Sequence, residues 1–466
     1  MGKGAGSGGD AGVSKRKITI EELAKHRTPE DAWMASKGKV YDVSNWNDHP
    51  GGSVIFTHAG DDFTDVFAAF HPASAMKDME KFYVGELDDT VVPSDPHLAV
   101  RFRDEKQKNF ERGYRDLRTK LIAAGMFNAD PLYYVWKCAS NLLILAASAS
   151  CAIFSESFAV HMIGAVLLAL FWQQCGWLAH DFLHHQVFKN RTYGDLMGVI
   201  VGDLCQGFSV HWWKTKHNSH HAVPNLHASS VDAADGDPDI DTLPILAWSL
   251  KMAETVKDSP NARFLIKWQA FFYFPVLLFA RLAWAHQSWV FVFGGYGQHS
   301  VKGAKNDQKR IQYPTLEKIA LIGHYVCLFS ILSHMPILNA IAFFIVAQTG
   351  CGLFLAIVFG LGHNGMAVYP ADKRPDFWKL QVTTTRNVTS NLFVDWFCGG
   401  LQYQVDHHLF PMIPRHNLGK VHKLVESFCK EHGVSYHEAD MWVGTTEVLS
   451  HLSKVSVEFI KEFPAM

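Results

Sequence analysis

The sequence predicts an α-helical integral membrane protein with four transmembrane helices, interfacial helices and a histidine-rich cap, preceded by a small α+β domain. Three observations favour this fold class. Several apolar runs of about twenty residues are nearly free of charge, which is the length that crosses a bilayer. The chain has 26 histidines among 466 residues, and several of them stand three or four positions apart. A stretch near the N-terminus has instead the mixed composition of a small soluble domain.

Charge and cysteine content exclude two other classes of protein. The formal net charge is only -2, so the chain shows no basic footprint for nucleic acid. Its eight cysteines form no CxxC pair, and several lie inside apolar runs. We therefore expect free thiols in a reducing compartment rather than a disulfide framework.

Shifts in composition divide the chain into five parts. The Gly-rich start lacks the apolar core of a secretory signal and is expected to be a disordered lead. Two prolines near residue 93 mark a linker, followed by a segment of alternating charge that predicts an amphipathic helix. The expected parts are a lead at 1–16, a small soluble domain at 17–90, a linker with amphipathic helix at 91–130, a membrane domain at 131–440 and a tail at 441–466.

The N-terminal domain contains the turn WNDHPGGS, in which His49 precedes a proline and two glycines. Proline fixes one backbone dihedral and glycine allows close approach, so the turn can hold an imidazole against a flat cofactor. A second histidine, His71, follows an apolar segment, and His58 is a competing candidate. Two histidines that bind heme from opposite sides leave the iron no open position, which indicates an electron carrier.

Three histidine boxes stand later in the chain, HDFLHH, HNSHH and QVDHH. On a helix, residues three and four apart share a face, so the ligands of each box converge. Nitrogen-rich sets with few thiolates point away from structural zinc, and a set of this size indicates more than one metal ion. His184 is favoured over His185, because only one of the two can point at the site from a regular helix. Asp181 and Asp406 are expected to fix the tautomers of neighbouring imidazoles. The candidate ligands are His180, His184, His217, His220, His221, Gln404, His407 and His408.

Five apolar runs predict the membrane part. They cover residues 134–154, 158–178, 268–293, 316–335 and 339–361. All three boxes can share one site only if an even number of crossings separates the second box from the third. Residues 268–293 carry Arg281 and His286 and are rich in aromatic residues, so they are expected to form an interfacial or half-buried helix.

The distribution of Lys and Arg predicts which side of the membrane carries the boxes. Basic residues concentrate at 101–120, 302–310 and 373–386, all on the box side. The positive-inside rule then places the boxes and both termini in the cytosol. The sequons at Asn190 and Asn387 should accordingly carry no glycan.

Apolar surroundings, many nitrogen ligands and a tethered electron carrier together suggest oxidation of a hydrophobic substrate by dioxygen. Iron fits this chemistry, since zinc cannot cycle electrons. HPGG with a second histidine about twenty residues on resembles cytochrome b5. The three boxes, with WLAHDFLHHQVF and LQYQVDHHLFP, resemble membrane fatty acid desaturases. Gln404 and the fused heme domain resemble the front-end desaturases, most of all the microalgal and fungal Δ6 enzymes.

The resemblance implies cofactors and a further ligand. It implies heme b between His49 and His71, and two non-heme iron ions held by the box residues. His363, in LGHNGM, resembles the extra helix histidine of the superfamily, with a hydrogen-bonded core histidine as the alternative. The acidic GDPDIDT stretch is expected to be a hydrated turn rather than a cation site. Trp212 and Trp213 fit either an acyl tunnel or interfacial anchors.

The activity that the resemblance implies is Δ6 desaturation of linoleate and α-linolenate chains with dioxygen in the endoplasmic reticulum membrane. Electrons would come from NADH-cytochrome b5 reductase. A Δ5 or Δ8 acyl desaturase, a sphingoid-base desaturase and a related hydroxylase remain alternatives, as does a membrane-anchored heme carrier without chemistry of its own. The acyl carrier, phospholipid or coenzyme A, stays open.

Overall fold

A computed structural model describes residues 16–46, 48–95, 98, 105–229, 235–294 and 311–464. Almost all of the expected disordered lead, part of the linker and the basic segment at 302–310 lie outside the described residues. Those within 1–46 and 58–104 form one compact unit, and those within 47–57 and 105–466 form another.

The first unit is built on a six-stranded sheet with the strand order β1-β6-β4-β3-β2, in which β5 pairs with β3. Its core contains the buried side chains of Ile18, Leu23, Trp33, Ala35 and Val40. This unit confirms the predicted α+β domain. The strands are β1 (Lys17–Thr19), β2 (Arg27–Thr28), β3 (Asp31–Ser36), β4 (Lys39–Asp42), β5 (Asp61–Asp62) and β6 (Tyr83–Asp88). The helices are α1 (Ile20–Leu23), α2 (Thr64–Phe70) and α3 (Met76–Met79), with 3-10 turns at Ala73–Ala75 and Glu80–Phe82.

Four long apolar helices in the second unit confirm the predicted membrane part. Asp130 caps the first of them, and Pro131 follows at a position where a missing N–H costs nothing. The second helix extends past the predicted end at residue 178, so the first box begins on the membrane helix itself. The helices are α4 (Glu105–Ala123), followed by the membrane helices α5 (Pro131–Ile153) and α6 (Phe158–Leu183).

The cap between the membrane helices begins with a short helix, a π-helix and the helix of the second box. Gly207, with φ of 87°, ends the π-helix in the left-handed conformation that glycine adopts without strain. The elements are α7 (Arg191–Gly198), a π-helix (Val199–Gln206), α8 (Val210–Ala222), β7 (Leu226–His227), α9 (Leu250–Glu254), α10 (Pro260–Lys267), α11 (Gln269–Leu277), α12 (Ala280–Trp289) and a π-helix (Val290–Gly294).

Residues 268–293 form a bent pair of helices rather than one straight span. Helix α11 and the segment from α12 to Gly294 meet at 61°. Within this pair, which the sequence predicts as an interfacial or half-buried helix, the guanidinium of Arg281 is buried. It donates to Gln206 Oε1 at 3.0 Å and lies 3.9 Å above the ring of Trp172.

The C-terminal third completes the membrane part and closes the cap. The segment expected as a tail contains a 22-residue helix, whose Val448 and Leu452 pack in one core with Tyr273 and Leu277. All eight cysteines are free, as predicted. The helices are α13 (Pro314–Leu332), α14 (Ile337–His363), α15 (Phe377–Thr383), α16 (Leu392–Cys398), α17 (Gln404–Leu409), α18 (Arg415–Glu431) and α19 (Met441–Glu462). The strands are β8 (Tyr369–Pro370), β9 (Asn387–Val388) and β10 (Glu438–Ala439), with further 3-10 turns at Gly52–His58, Ala371–Lys373 and Leu401–Tyr403.

Candidate metal centre

Five buried histidines from the three boxes form a first group at the end of the membrane helices. Their ligand atoms all lie within 4.8 Å of one another. His217 Nε2 is 2.9 Å from His184 Nε2 and 3.0 Å from His221 Nε2, and His221 Nε2 is 3.2 Å from His407 Nε2. The helices α6, α8 and α17, with the turn after α6, therefore bring together His180, His184, His217, His221 and His407.

A second group lies beside the first and joins two boxes to the end of a membrane helix. His220, His363 and His408 place their ligand atoms within 4.8 Å of one another. His363 Nε2 is 3.2 Å from His220 Nε2 and 2.7 Å from Gln404 Nε2. The structure thus places the histidine expected outside the boxes next to the glutamine that departs from them. His185, with φ of 56°, belongs to neither group.

The nitrogen-to-nitrogen distances fit shared metal ions. Two nitrogens that each lie roughly 2.1 Å from one ion are about 3.0 Å apart when their bonds meet at a right angle. The observed pairs at 2.9 to 3.2 Å have this separation. In the described part of the chain, His180 Nε2 and His408 Nε2 are buried and meet no hydrogen-bond partner. Buried nitrogens of this kind need a partner, and a metal ion in each group supplies one.

Two residues that sequence reasoning missed orient the second group. His220 Nδ1 donates to Asp237 Oδ2 at 2.9 Å, and His408 Nδ1 donates to Gln381 Oε1 at 2.8 Å. Each bond fixes the ring so that Nε2 faces the metal position. Asp237 lies in GDPDIDT and is buried, so the prediction of a hydrated turn is wrong at that residue. The acidic motif could have indicated Asp237 from the sequence, whereas no sequence motif indicates Gln381.

Two aspartates within the boxes have other partners than expected. Tyr134 and Arg415 donate to Asp181, whose carboxylate is 3.5 Å from His180 Nδ1. Asp406 accepts from Asn387 Nδ2 and from the Tyr436 hydroxyl, each at 2.9 Å. Both carboxylates therefore hold the surrounding scaffold, and the expectation that Asp406 fixes a ligand tautomer is wrong.

Burial keeps most of the ligand rings neutral. It lowers the pKa of His184 to about 3 and, with the neighbouring imidazoles, lowers the pKa of His217, His221 and His408 well below the usual range. Burial alone would lower the pKa of His220, but the charge and hydrogen bond of Asp237 raise it. Neutral imidazoles have the lone pair that a metal ion requires.

A small apolar cavity adjoins the first group, with His180 in its lining. Trp212 and Trp213 both line it, so of their two sequence interpretations the structure favours the tunnel. Trp213 also stacks on His217, with ring centroids 4.2 Å apart. The other lining residues are Gly176, Trp177, Phe208, Trp284, Leu355 and Phe359.

The predicted heme ligands stand in structures suited to that role. His49 is buried, and its Nδ1 donates to the Gly52 carbonyl at 3.1 Å, which fixes the orientation of the ring. A Cβ at Gly51 would lie 2.8 Å from the His49 ring, so only glycine fits there. His71 ends α2 and stacks on Phe67 at 4.5 Å.

Fold and site together define a class of protein, a helical membrane protein with two histidine-rich metal groups beside an apolar cavity and an attached α+β domain. The fatty acid desaturase family model matches residues 157–440, and the model of the cytochrome b5-like heme/steroid binding domain matches residues 19–88. The chain therefore belongs to the fatty acid desaturase family and carries a cytochrome b5 domain at its N-terminus.

Curated relatives extend the likeness over most of the chain. An acyl-lipid (9-3)-desaturase of Physcomitrium patens is 38% identical over 439 residues, 94% of this chain and 78% of the relative. A Delta(8)-fatty-acid desaturase of Euglena gracilis is 35% identical over 428 residues, 89% of this chain and 93% of the relative. A Delta(6)-fatty-acid desaturase of Caenorhabditis elegans is 33% identical over 426 residues, 88% of this chain and 92% of the relative.

The donor set fits the cofactors of this family. Two groups of neutral imidazoles without a thiolate suit a pair of non-heme iron ions. The cytochrome b5 domain implies heme. The chain is accordingly an oxidoreductase that desaturates fatty acyl chains in a membrane.

Proposed function

We propose that this protein is a front-end acyl-lipid desaturase that introduces a cis double bond at Δ6 of linoleate and α-linolenate chains. The observation that carries the proposal is the aromatic-lined cavity that ends at His180, beside the five-histidine group. Relatives named as (9-3), Delta(6) and Delta(8) desaturases support the front-end class.

The residues around the cavity hold the acyl chain and keep water away. Phe208, Trp212 and Phe359 form apolar walls, and an acyl chain between them has its carbon atoms near His180. When bound, the two irons supply the redox chemistry, in which dioxygen is reduced and two adjacent acyl carbons lose hydrogen. The nine proposed iron-binding residues are His180, His184, His217, His220, His221, His363, Gln404, His407 and His408.

Gln404 gives the second group its particular donor. Gln404 Nε2 lies 2.7 Å from His363 Nε2. Rotation of the side-chain amide by 180° exchanges its two end atoms, so that Oε1 faces His363 Nε2 instead. Amide oxygen is a harder and weaker donor than imidazole. We infer that the ion of the second group is held less tightly than the ion of the five-histidine group.

Feeding experiments in yeast test the regiospecificity. Cells that express the full chain and receive linoleate should accumulate γ-linolenate, while cells with His407→Ala should not. A Δ8 product from a C20 substrate, a Δ5 product, a desaturated sphingoid base or a hydroxylated chain, each without γ-linolenate, would replace the Δ6 assignment by the corresponding alternative. Labelled acyl-CoA and labelled phospholipid, given to isolated membranes, identify the acyl carrier.

Electron supply and location complete the proposal. His49 and His71 hold heme b, which receives electrons from NADH-cytochrome b5 reductase, and the enzyme lies in the endoplasmic reticulum membrane with its site and both termini in the cytosol. In sealed microsomes, protease should remove an epitope from either terminus, and Asn190 should remain without glycan. A protected terminus would contradict this topology. His49→Ala should abolish activity unless free cytochrome b5 is added.

A further inference from the structure

Two buried carboxylates meet at the start of α8, the helix that carries three of the nine proposed ligands. Asp203 lies in the π-helix before α8, and Glu317 lies in the first turn of the membrane helix α13. Both side chains are almost fully buried. The charge of Glu317 acts on the neighbouring carboxyl group of Asp203, so ionisation of one group disfavours ionisation of the other.

The pair and Ser209 satisfy the free amide groups at the start of the helix. Val210 N–H donates to Asp203 Oδ2 at 3.2 Å. Ser209 accepts from Trp212 N–H at 3.1 Å and donates its hydroxyl proton to Glu317 Oε2 at 2.5 Å. Two amides that have no partner inside the helix, those of Val210 and Trp212, are thus bonded to side chains.

Charge at this position has a clear physical role. The N-terminus of a helix has a positive partial charge, which one carboxylate stabilises, whereas two ionised carboxylates side by side repel. Burial, and then the charge of Glu317, raise the pKa of Asp203 well above its usual range. A pair with a single negative charge therefore stabilises the start of the helix without mutual repulsion.

The segment before α8 is itself held by the same membrane helix. His324, two turns after Glu317 on α13, donates from Nδ1 to the Leu204 carbonyl at 3.0 Å. Its ring packs so close to Gly207 that a Cβ there would lie 2.6 Å from it. The helix α13 therefore contacts the chain on both sides of the turn that leads into α8.

We infer that Asp203 and Glu317 are positioning residues for the metal centre, which fix α8 through its first amides and so set where His217, His220 and His221 stand. From Val210 to His217 the helix rises about 10 Å, and a rigid helix transmits any shift of its start to the ligands. A metal site tolerates displacements of only about 0.5 Å. The inference rests on the proposed assignment of those three histidines as iron ligands.

The test compares apolar and amide replacements in the full-length protein. The measured quantity is the ratio of non-heme iron to heme. Each chain has one cytochrome b5 domain, so the amount of heme reports the number of chains. Glu317→Leu and Asp203→Leu should lower this ratio at limiting iron by at least about tenfold, the effect of losing residues that orient ligands. Glu317→Gln and Asp203→Asn should stay close to the parent, because each amide restores the hydrogen bonds beside one remaining carboxylate.

Controls separate positioning from general loss of stability. Asp440 caps α19, a helix without ligands, through Trp442 N–H and Val443 N–H, and Asp440→Ala should leave the ratio unchanged. Parental ratios in the leucine variants overturn the inference, and so do amide variants that lose as much iron as the leucine variants. If the Glu317→Leu and Asp203→Leu variants do not fold, the ratio of non-heme iron to heme is measured in Ser209→Ala. A parental ratio in Ser209→Ala overturns the inference. Failure of the Δ6 proposal would instead change the fatty acid product.

Discussion

His220 and His408 show how single residues prepare the metal centre. Each donates Nδ1–H to an oxygen, of Asp237 and of Gln381, and so keeps Nε2 for the metal position. Gln381 also donates from Nε2 to the His221 carbonyl at 3.0 Å. One glutamine thereby connects the second and third boxes, which lie far apart in the sequence.

Replacing the carboxylate next to His220 should weaken metal binding without unfolding the chain. Asp237→Asn keeps the shape of the side chain but removes the negative charge that makes the His220 imidazole a stronger base. We therefore expect the iron affinity of the second group to fall by roughly 10- to 100-fold. Titration of the apoprotein with ferrous iron measures it. The control is Asp239→Asn, because that carboxylate is 45% exposed and lies 3.7 Å from His220 Nδ1. Equal losses in both variants would contradict the prediction.

At the scale of the element, two membrane helices line the apolar cavity and carry a proposed ligand on successive turns. On α6, Gly176 lines the cavity one turn before His180. On α14, Leu355 and Phe359 line the same cavity, and His363 follows one turn later. Helix periodicity thus aligns the apolar wall with the metal groups.

A side chain at Gly176 should obstruct the cavity. A Cβ there would meet Leu355 Cδ2 at 3.2 Å, so Gly176→Val should lower turnover of C18 chains while the ratio of non-heme iron to heme stays parental. Gas chromatography of fed yeast measures turnover. Gly350→Val is the matched control, since a Cβ at Gly350 meets Ala169 Cβ at the same 3.2 Å between the same two helices, away from the cavity. Each variant strains packing by roughly 1 to 3 kcal/mol. Unchanged turnover in Gly176→Val would contradict the prediction.

At the scale of the whole molecule, the metal groups connect elements that are distant in sequence. The five-histidine group draws on α6, α8 and α17, and the second group adds the end of α14. A bound ion therefore links the membrane helices to the cap, and its binding free energy adds to the stability of the folded protein.

Removal of the non-heme iron should destabilise the membrane part of the protein. Metal at a hundred times its dissociation constant stabilises the folded state by about 2.7 kcal/mol per site. Chelation of the purified protein should accordingly lower the midpoint of tryptophan-monitored thermal unfolding, and added ferrous iron should restore it. His407→Ala should show a smaller shift. A chelator-independent midpoint in the parent would argue against metal in the two groups.

The sequence by itself determined the α+β domain, the four membrane helices and the histidine set, because apolar length and three-and-four spacing are local properties. The requirement for an even number of membrane crossings between the second and third boxes predicted, from the sequence alone, that all three boxes lie on one side of the membrane. Only the tertiary structure decided which ring nitrogens face each other, how the ligands divide into groups of five and three, and that Asp237 and Gln381 orient them. Asp237 was misjudged because burial of a charged side chain depends on partners from distant segments, and a single segment does not show them.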